Sequence, residues 1–538
     1  MAGESKDVLI IGAGLAGLVT ALELLRAGRR VTLLDRRGHA QLGGLAYYAF
    51  GGMALVGTPE QRWSGIQDSP DLALGDWLSF ANFSPEDVWP RQWAEHYVSR
   101  CVPEVHEWLK AMGVRFMPAV QWVERGWLKR GNSVPRYHVL WGSSRHMTQT
   151  VVQALQQAAQ PGGRLTILSE HRVDRLIQQG AGRVVGVAGV DEARGRPFEL
   201  YASHTVVATG GITGSLERVR EHWPAEWGMA PEHLLNGSHP TADGRLHDEV
   251  CEAGGRVTHL DQMWHYVAGV RHPQPLFEGH GLSLVPPKSA VWLDPDGRRI
   301  GPEPFITGFD TRVMVERVSQ SGWPYTWQVL NRRIADKELA ASGADHNPAI
   351  RDRRRLAFIK QILSGQPALV DDLLTHCADF VQADDLATLV QGMNRVAGNQ
   401  RLHAETVAQA IGPYDDQIRR GHRFHNDDQL RRIEQLRRWT GDRVRTCKDQ
   451  PVIDPKAGPL IAIRCQILTR KSMGGIQTDL QSRVLSLAGD PIAGLYAVGE
   501  ASGFGGGGSN GEGSLEGTFL SGCILTGRAA ARSIHALL

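Results

Sequence analysis

Three glycines, Gly12, Gly14 and Gly17, set between a short apolar run and a helix-forming stretch, constrain this chain more than any other feature. Within residues 7–35, DVLIIGAGLAGLVTALELLRAGRRVTLLD, Val8 to Ile11 reads as a buried strand because it is apolar and carries two β-branched isoleucines. The glycines follow at the spacing of a dinucleotide-binding turn. The first permits the tight turn, the second lets a pyrophosphate approach the backbone, and the third lets the helix pack close to the strand. The pattern predicts a helix from Leu15 to about Ala27, stopped by Gly28, with its N-terminal N–H groups and positive dipole end aimed at the phosphates. Val31 to Leu34 forms the second strand, and Asp35 closes it about twenty residues after the turn, where an acid accepts hydrogen bonds from ribose hydroxyls. The run from Val8 to Leu25 also has the apolarity of a signal peptide or membrane span. Glu23 interrupts it, only Lys6 precedes it as a basic residue, and a second strand follows without a small-residue cleavage site, so no transmembrane segment is expected.

At 538 residues the chain exceeds one ordinary hydrophobic core and implies two domains. A formal charge of +2, with no basic run interleaved with aromatics, argues against nucleic acid as a partner. The arginines of 351–355 and 431–438 fall in polar, helix-like stretches and read as solvated faces. Six cysteines, at 101, 251, 377, 447, 465 and 523, form no CxxC pair. They predict neither a disulfide framework nor a metal site, and fit a reducing cytoplasm. The 62 glycines cluster near 43, 51, 210, 474 and 505, marking places where backbone approaches a large ligand.

Further along, QLGGLAYYAFGGM (41–53) places Gly43–Gly44 and Gly51–Gly52 in a loop expected to lie against the same ligand. Trp89, Trp93 and Trp108, in the helical region of 70–117, read as core, and Ser143 or Ser144 is positioned to cap a helix over 143–159. Residues 165–191 alternate like strands joined by a turn around Gly180 to Gly182. TVVATGGITG, 205–214, is a buried strand running into Thr209, Gly210 and Gly211; Asp243–Gly244 opens a helix that Asp243 is placed to cap. Asp296–Gly297 marks a tight turn, and residues from about 327 to 438 read as mostly helical with a break at Gly412–Pro413. Near the end, GLYAVGEASGFGGGGSNGEGSLEGTF is a buried strand, a glycine loop and a C-terminal helix beginning near Leu515. Bracketed in this way, Gly505 to Gly508 read as a ligand-approaching loop rather than a flexible linker.

The dinucleotide turn, the acid ending the second strand, the glycine pairs and the GLYAVGE loop together resemble the flavoproteins of the fumarate reductase and 3-ketosteroid dehydrogenase family. The fold this implies is α/β: a Rossmann-like FAD-binding domain of the GR2 type in two parts, 1–265 and 446–538, with an inserted α+β substrate-binding or cap domain over 266–445. The resemblance places FAD against Gly12, Gly14, Ala16, Gly17, Asp35, Arg36, Gly43, Gly44, Gly51, Gly52, Val173, Thr209, Gly210, Asp243, Glu500, Ser514 and Leu515. Val173 would lie over the adenine, and Glu500 would hold ribityl or ribose hydroxyls. Relatives that bind FAD covalently carry a histidine in the 41–53 loop, where this chain has Leu45, Ala46, Tyr47 and Tyr48, so the resemblance implies non-covalent FAD. No metal is expected.

Flavin enzymes of this kind move a hydride between flavin N5 and a carbon beside an activating group, and the protein supplies a proton partner and a stabiliser for the carbonyl oxygen. Fumarate reductases hold substrate carboxylates with a histidine just before an SMGG-like segment and an arginine at the start of the last helix. Here those places carry Arg470, Lys471 and Ser472, and Ser514. Arg312 lies near the family's proton-donor arginine, although strict offset from Glu303 lands on Thr307. Ketosteroid dehydrogenases use tyrosines, one in the glycine loop; no tyrosine follows Tyr496, leaving Gly505 to Gly508 to offer backbone N–H groups to a carbonyl. The remaining cluster, MWHYVAGVRH, puts His265, Tyr266 and His272 at the expected domain junction. His265, Tyr266 and Arg312 are the catalytic candidates. The expected function is an FAD-dependent dehydrogenase or enone reductase acting at a carbon–carbon bond beside a carbonyl, on an apolar cyclic ketone such as a steroid, with an unidentified electron acceptor. The alternatives are a reductase of a small unsaturated carboxylate, using Arg312 and Lys471, and a binding protein that keeps the flavin fold without redox function.

Overall fold

The computed structural model describes residues 6–39, 42–160, 162–180 and 182–538. Gln41 of the expected glycine loop and Ala181 of the expected turn lie outside them. The chain forms two compact units, one of Met1–His222, Ser238–Trp264 and Lys471–Leu538, the other of Trp223–Gly237 and His265–Arg470. The second unit thus takes in 223–237 and 446–470 beside the inserted segment.

In the first unit β1 (Lys6–Ile11) is the central strand, with β2 (Val31–Leu34) and the strand Arg196–Val207 parallel on its two sides. Leu165–Leu168 extends the sheet beyond β2, and Pro491–Ala497 lies parallel to 196–207 on the far side. From Val8 to Ile11 strand β1 is apolar because both of its faces are buried there. Val8 and Ile10 face a core that includes α1 (Leu15–Arg26) and the last helix, whereas Leu9 and Ile11 face Val173, Leu176, Val187 and Leu246. Helix α1 and the last helix, Thr518–Leu537, approach closely through small residues. Thr20 Oγ1 donates to Gly527 O at 3.2 Å, and a Cβ on Gly527 would stand 2.8 Å from Ala16 O.

The tryptophan-rich region forms helices Pro70–Ala81 and Val88–Cys101. Trp93 and Trp108 are core, their indoles donating to Asp479 O at 3.1 Å and Glu23 Oε1 at 3.2 Å; Trp89 is half-buried. In the same unit Arg136, 2% exposed, bridges the fully buried carboxylates of Asp68 and Asp76 at 2.8 and 2.6 Å.

The second unit is built on a mixed sheet. Thr326–Asn331 runs antiparallel to Leu460–Ser472, from Thr326 opposite Cys465 to Asn331 opposite Leu460. Helices between 348 and 445 accompany it. The Asp296–Gly297 turn forms as expected, with Asp294 N bonded to Arg298 O at 2.9 Å and Gly297 at φ 83°.

Three local expectations are corrected. Helix Ser143–Ala158 has Gly142 at its N-cap position and Ser143 Oγ accepts from Arg145 N at 3.3 Å in the first turn, whereas Ser144 is not a cap: its Oγ donates to Ala49 O at 2.7 Å, tying the helix to the 45–48 turn. Helix Ala404–Arg420 runs through Pro413 without a break. A proline disfavours helical conformation in its predecessor by clashing with that residue's Cβ, and Gly412 has none. The last helix starts at Thr518 rather than near Leu515, because Glu516 and Gly517 take φ of 47° and 98°, which no α-helix accommodates.

Removing Arg136 leaves the buried Asp68 carboxylate without a cation among the described residues, while Asp76 keeps Arg130, so Arg136→Met should destabilise the protein by about 3–5 kcal/mol in chemical denaturation. A loss below about 1 kcal/mol would show that this ion-pair triad does not hold the first unit together.

Candidate functional site

The parallel strands of the first unit end in register: Ile11 stands opposite Leu34 and Val207, and Val207 opposite Ala497. Gly12 N donates to Leu34 O at 2.7 Å, Ala208 N to Ile11 O at 2.8 Å and Val498 N to Val207 O at 2.9 Å. Four sequence-predicted segments, beginning at Gly12, Asp35, Ala208 and Val498, therefore leave the sheet at one carboxyl edge, the place where open parallel sheets bind ligands.

At this edge the three glycines of the first turn have different surroundings. A Cβ on Gly12 would lie 2.3 Å from Ala208 O, and one on Gly17 would lie 2.0 Å from Gly12 O. A Cβ on Gly14 would meet nothing within 4 Å. Gly14 is also the N-cap of α1, which has no side-chain cap and no acid in its first turn, although Leu15 and Ala16 are buried. A buried helix start without a protein cap beside open space fits a phosphate group. Gly43 N bonds Ala13 O at 2.8 Å, and a Cβ on Gly44 would stand 3.2 Å from Gly14 Cα, so this pair borders the same space. Gly51 and Gly52 are different: their missing side chains make room for Ser144 N and the ring of Tyr137.

Asp35 accepts from Ala13 N at 2.6 Å and Arg37 N at 2.7 Å. Burial raises its carboxyl above the ordinary value, and those two N–H groups oppose the rise. One lone pair on each oxygen remains for a hydroxyl donor. Arg36 pairs with Glu192 at 3.1 Å and Asp243 at 3.4 Å. Asp243 also accepts from Arg245 N at 3.1 Å, while Gly244 is the N-cap of helix Arg245–Glu252. Val173 is buried against the sheet, and Gly210, at φ 81°, follows Thr209 at the strand end. Glu500 Oε1 accepts from Ser472 N at 2.9 Å, and a Cβ on Gly211 would stand 2.8 Å from that oxygen.

Six consecutive residues of the glycine loop, Gly503 to Gly508, have positive φ (57°, 61°, 123°, 67°, 79°, 154°), and all are buried, which excludes a flexible linker. A Cβ at Gly505 would enter the Trp93 ring. The expected offer of N–H groups from 505–508 is overturned, because the loop uses all four. Gly505 N and Gly507 N bond Ser502 O, Gly506 N bonds Thr478 Oγ1 and Gly508 N bonds Gly505 O. By contrast, among the described residues the N–H groups of Ser514, Leu515 and Gly517 meet no acceptor. Thr518 Oγ1 donates to Asn510 Oδ1 at 2.7 Å and lies 3.0 Å from Ser514 Oγ; Asn510 Nδ2, fully buried, has no partner. Asn510 was not legible in the sequence, since an asparagine in a glycine loop ordinarily signals only a turn.

The catalytic candidates all lie in the second unit. His265 is 2% exposed, and burial pushes its imidazole down to about 3. Tyr266 is half-buried on the same strand, Met263–Arg271. Arg312, in helix Thr311–Gln320, lies with its guanidinium 5.5 Å from the centre of the Trp227 ring. His272 stacks on His280 at 4.2 Å, outside the His265 cluster. The structure adds Trp223 and Trp227, which pack on His265 at 4.9 and 6.2 Å. Nothing in local periodicity marks them, because they come from a loop distant in sequence.

Residues 7–520 match the family profile described as FAD binding domain. The chain is 44% identical to a KsdD-like steroid dehydrogenase of Mycobacterium tuberculosis, over 98% of this chain and 96% of that protein. Among solved structures it resembles the 3-ketosteroid Δ1-dehydrogenase of Sterolibacterium denitrificans (TM-score 0.71, 16% identity, 99% of this chain and 100% of that one). It also resembles a flavocytochrome c3 fumarate reductase in its open conformation (TM-score 0.67, 20% identity, 99% and 78%). The cofactor is FAD, and the uncapped α1 start with the open face at Gly14 fits its pyrophosphate.

Gly14→Val should fold but purify without flavin colour, because its Cβ meets no protein atom within 4 Å and its methyl groups enter the space the phosphate needs. Gly17→Ala should instead lower stability by about 1–3 kcal/mol through overpacking. Glu500→Ala should weaken FAD binding on the order of tenfold or more, as expected for charge-assisted bonds to hydroxyls. Absorbance of the purified proteins and equilibrium FAD titration measure these effects; full flavin in Gly14→Val contradicts the phosphate assignment.

Proposed function

The chain belongs to the FAD binding domain family, and we propose that it is an FAD-dependent dehydrogenase or enone reductase acting on a carbon–carbon bond beside the carbonyl of an apolar cyclic ketone, a steroid in class. The observation that carries the substrate reading is position 514. Ser514 is fully buried and its hydroxyl lies against Thr518, so no cation stands where the family's dicarboxylate enzymes place an arginine. Two substrate carboxylates would lack their main counter-charge, and an unpaired buried charge costs several kcal/mol. A ketone does not incur that cost, and the 44% identical relative is named as a steroid dehydrogenase.

Bound FAD supplies the two-electron step, exchanging a hydride with the substrate carbon. In this reading the backbone of Gly12 to Gly17 and the start of α1 hold the pyrophosphate, and Asp35 and Glu500 accept from ribose and ribityl hydroxyls. The N–H groups of Ser514, Leu515 and Gly517 receive the partial negative charge of the flavin's pyrimidine edge, with Asn510 Nδ2 a further donor. The 45–48 turn contains no histidine, which supports non-covalent binding. Tyr266 is the proton partner. His265 stays neutral and acts as a hydrogen-bonding group, not a proton relay. Arg312 and Lys471, the cations of the carboxylate alternative, each lie over an aromatic ring, Trp227 and Phe519. No helix of the described residues is long and apolar enough to cross a membrane. All six cysteines are free thiols, which supports a reducing cytoplasm, and an electron acceptor other than the substrate completes the dehydrogenase cycle.

Anaerobic flavin spectroscopy tests the reading. Oxidised enzyme should bleach with a saturated bulky cyclic ketone, or reduced enzyme should reoxidise with the corresponding enone, and fumarate should reoxidise neither wild type nor Arg312→Ala. Rapid reoxidation of wild type by fumarate, lost in Arg312→Ala, would establish the carboxylate reading instead. Tyr266→Phe should slow the ketone reaction by about 10²–10⁴-fold if the phenol is the proton partner.

A further inference from the structure

The second unit buries a set of ring nitrogens that it does not pair. Trp223, Trp227 and His265 are 8%, 3% and 2% exposed, yet both indole Nε1 atoms and both imidazole nitrogens lack a hydrogen-bond partner among the described residues. The three rings form one cluster, with Trp223 centred 4.9 Å from His265 and 5.6 Å from Trp227. Three other buried indoles are satisfied: Trp77 donates to Ser509 O at 2.8 Å, Trp93 to Asp479 O at 3.1 Å and Trp264 to Glu516 Oε2 at 3.0 Å, whereas Trp327 Nε1 is a single unpaired donor outside the cluster.

A buried donor without an acceptor is costly, and a cluster of them is a lasting cost that a ligand's polar atom would relieve. An indole N–H only donates, and a neutral imidazole offers one donor and one acceptor. The cluster therefore presents three donors and one acceptor, which suits an oxygen acceptor and not a cation. Burial is what depresses the His265 pKa, with no charged group acting on it, so the imidazole is neutral at ordinary pH. The cation nearest in the cluster, Arg312, lies over the face of Trp227, whereas an indole N–H points out in the ring plane. A carboxylate among these rings would face neutral donors, and an uncharged oxygen matches them better.

We propose that Trp223, Trp227 and His265 form a binding site for a ketone oxygen of the substrate, an inference that rests on the cyclic-ketone reading of function. The oxidised holoenzyme is titrated calorimetrically with androst-4-ene-3,17-dione and with the two mono-ketones androst-4-en-3-one and androst-4-en-17-one. Trp223→Phe and Trp227→Phe keep a ring and remove the donor. Each should weaken the dione roughly three- to tenfold. The weakening should vanish for the mono-ketone that lacks the oxygen held by the cluster. Equal affinities in wild type and variants, or an equal weakening for all three ligands, would overturn the site while leaving the ketone reading in place. If no ligand of the three binds wild type, the ketone reading fails and the site fails with it. Should one variant lose its flavin, the mono-ketone comparison on the other still decides.

Discussion

The uncapped start of α1 is the constraint on which the first unit depends. A helix that begins inside a core leaves N–H groups without intrahelical partners, and here no side chain caps them. The positive end of the dipole adds to that need, so the site requires an anion close to the backbone. Close approach demands a bare Cα at Gly14, and holding α1 near β1 demands another at Gly17, whose Cβ would meet Gly12 O at 2.0 Å. The in-register ends of the parallel strands bring the other segments to the same edge. One unmet electrostatic requirement thus accounts for the bare Cα at Gly14, while packing accounts for Gly17 and strand register for the shared edge.

The glycine loop near the C-terminus solves a different problem. Its positive φ values let a chain with little side-chain volume fold onto Trp89 and Trp93, and its N–H groups are consumed in holding that shape. The donors left over appear after it, at Ser514, Leu515 and Gly517, where positive φ at Glu516 and Gly517 delays the helix to Thr518. Rigidity and ligand recognition are therefore divided between adjacent stretches of one loop.

Legibility in the sequence followed the range of the interactions. The β1–α1–β2 unit was readable almost to the residue, because strand period, helix length and glycine sterics are local. The buried ends of two strands, 205–207 and 495–497, were readable as apolar runs before glycines, though their full length and shared edge became visible only through pairing. Gly51 and Gly52 look identical to Gly43 and Gly44 in sequence; only the fold reveals that Tyr137 and Ser144 fill the space beside one pair. Ser144 as a cap and the break at Pro413 failed because local propensity was outweighed, by Gly142 in one case and by the absence of a Cβ at Gly412 in the other. Trp223 and Trp227 carried no signal at all, since their meaning lies in packing against a histidine some forty residues away.

The distribution of cations separates the two substrate readings on physical grounds. An arginine or lysine that holds a carboxylate must direct its N–H donors at the ligand, and its charge must not already be engaged. Arg312 and Lys471 lie over Trp227 and Phe519, contacts worth about 0.5–2 kcal/mol depending on solvation. Recruiting either for a carboxylate would forfeit that contact, whereas a ketone leaves both in place. The position at 514 sharpens the contrast, because a serine hydroxyl in a buried Ser514–Thr518–Asn510 chain supplies dipoles and no net charge. Neutral donors of this kind discriminate by geometry more than by charge. In the ketone reading, a site built from them would select an uncharged substrate through shape and a few oriented hydrogen bonds, and would disfavour dicarboxylates through the cost of desolvating charges it does not neutralise.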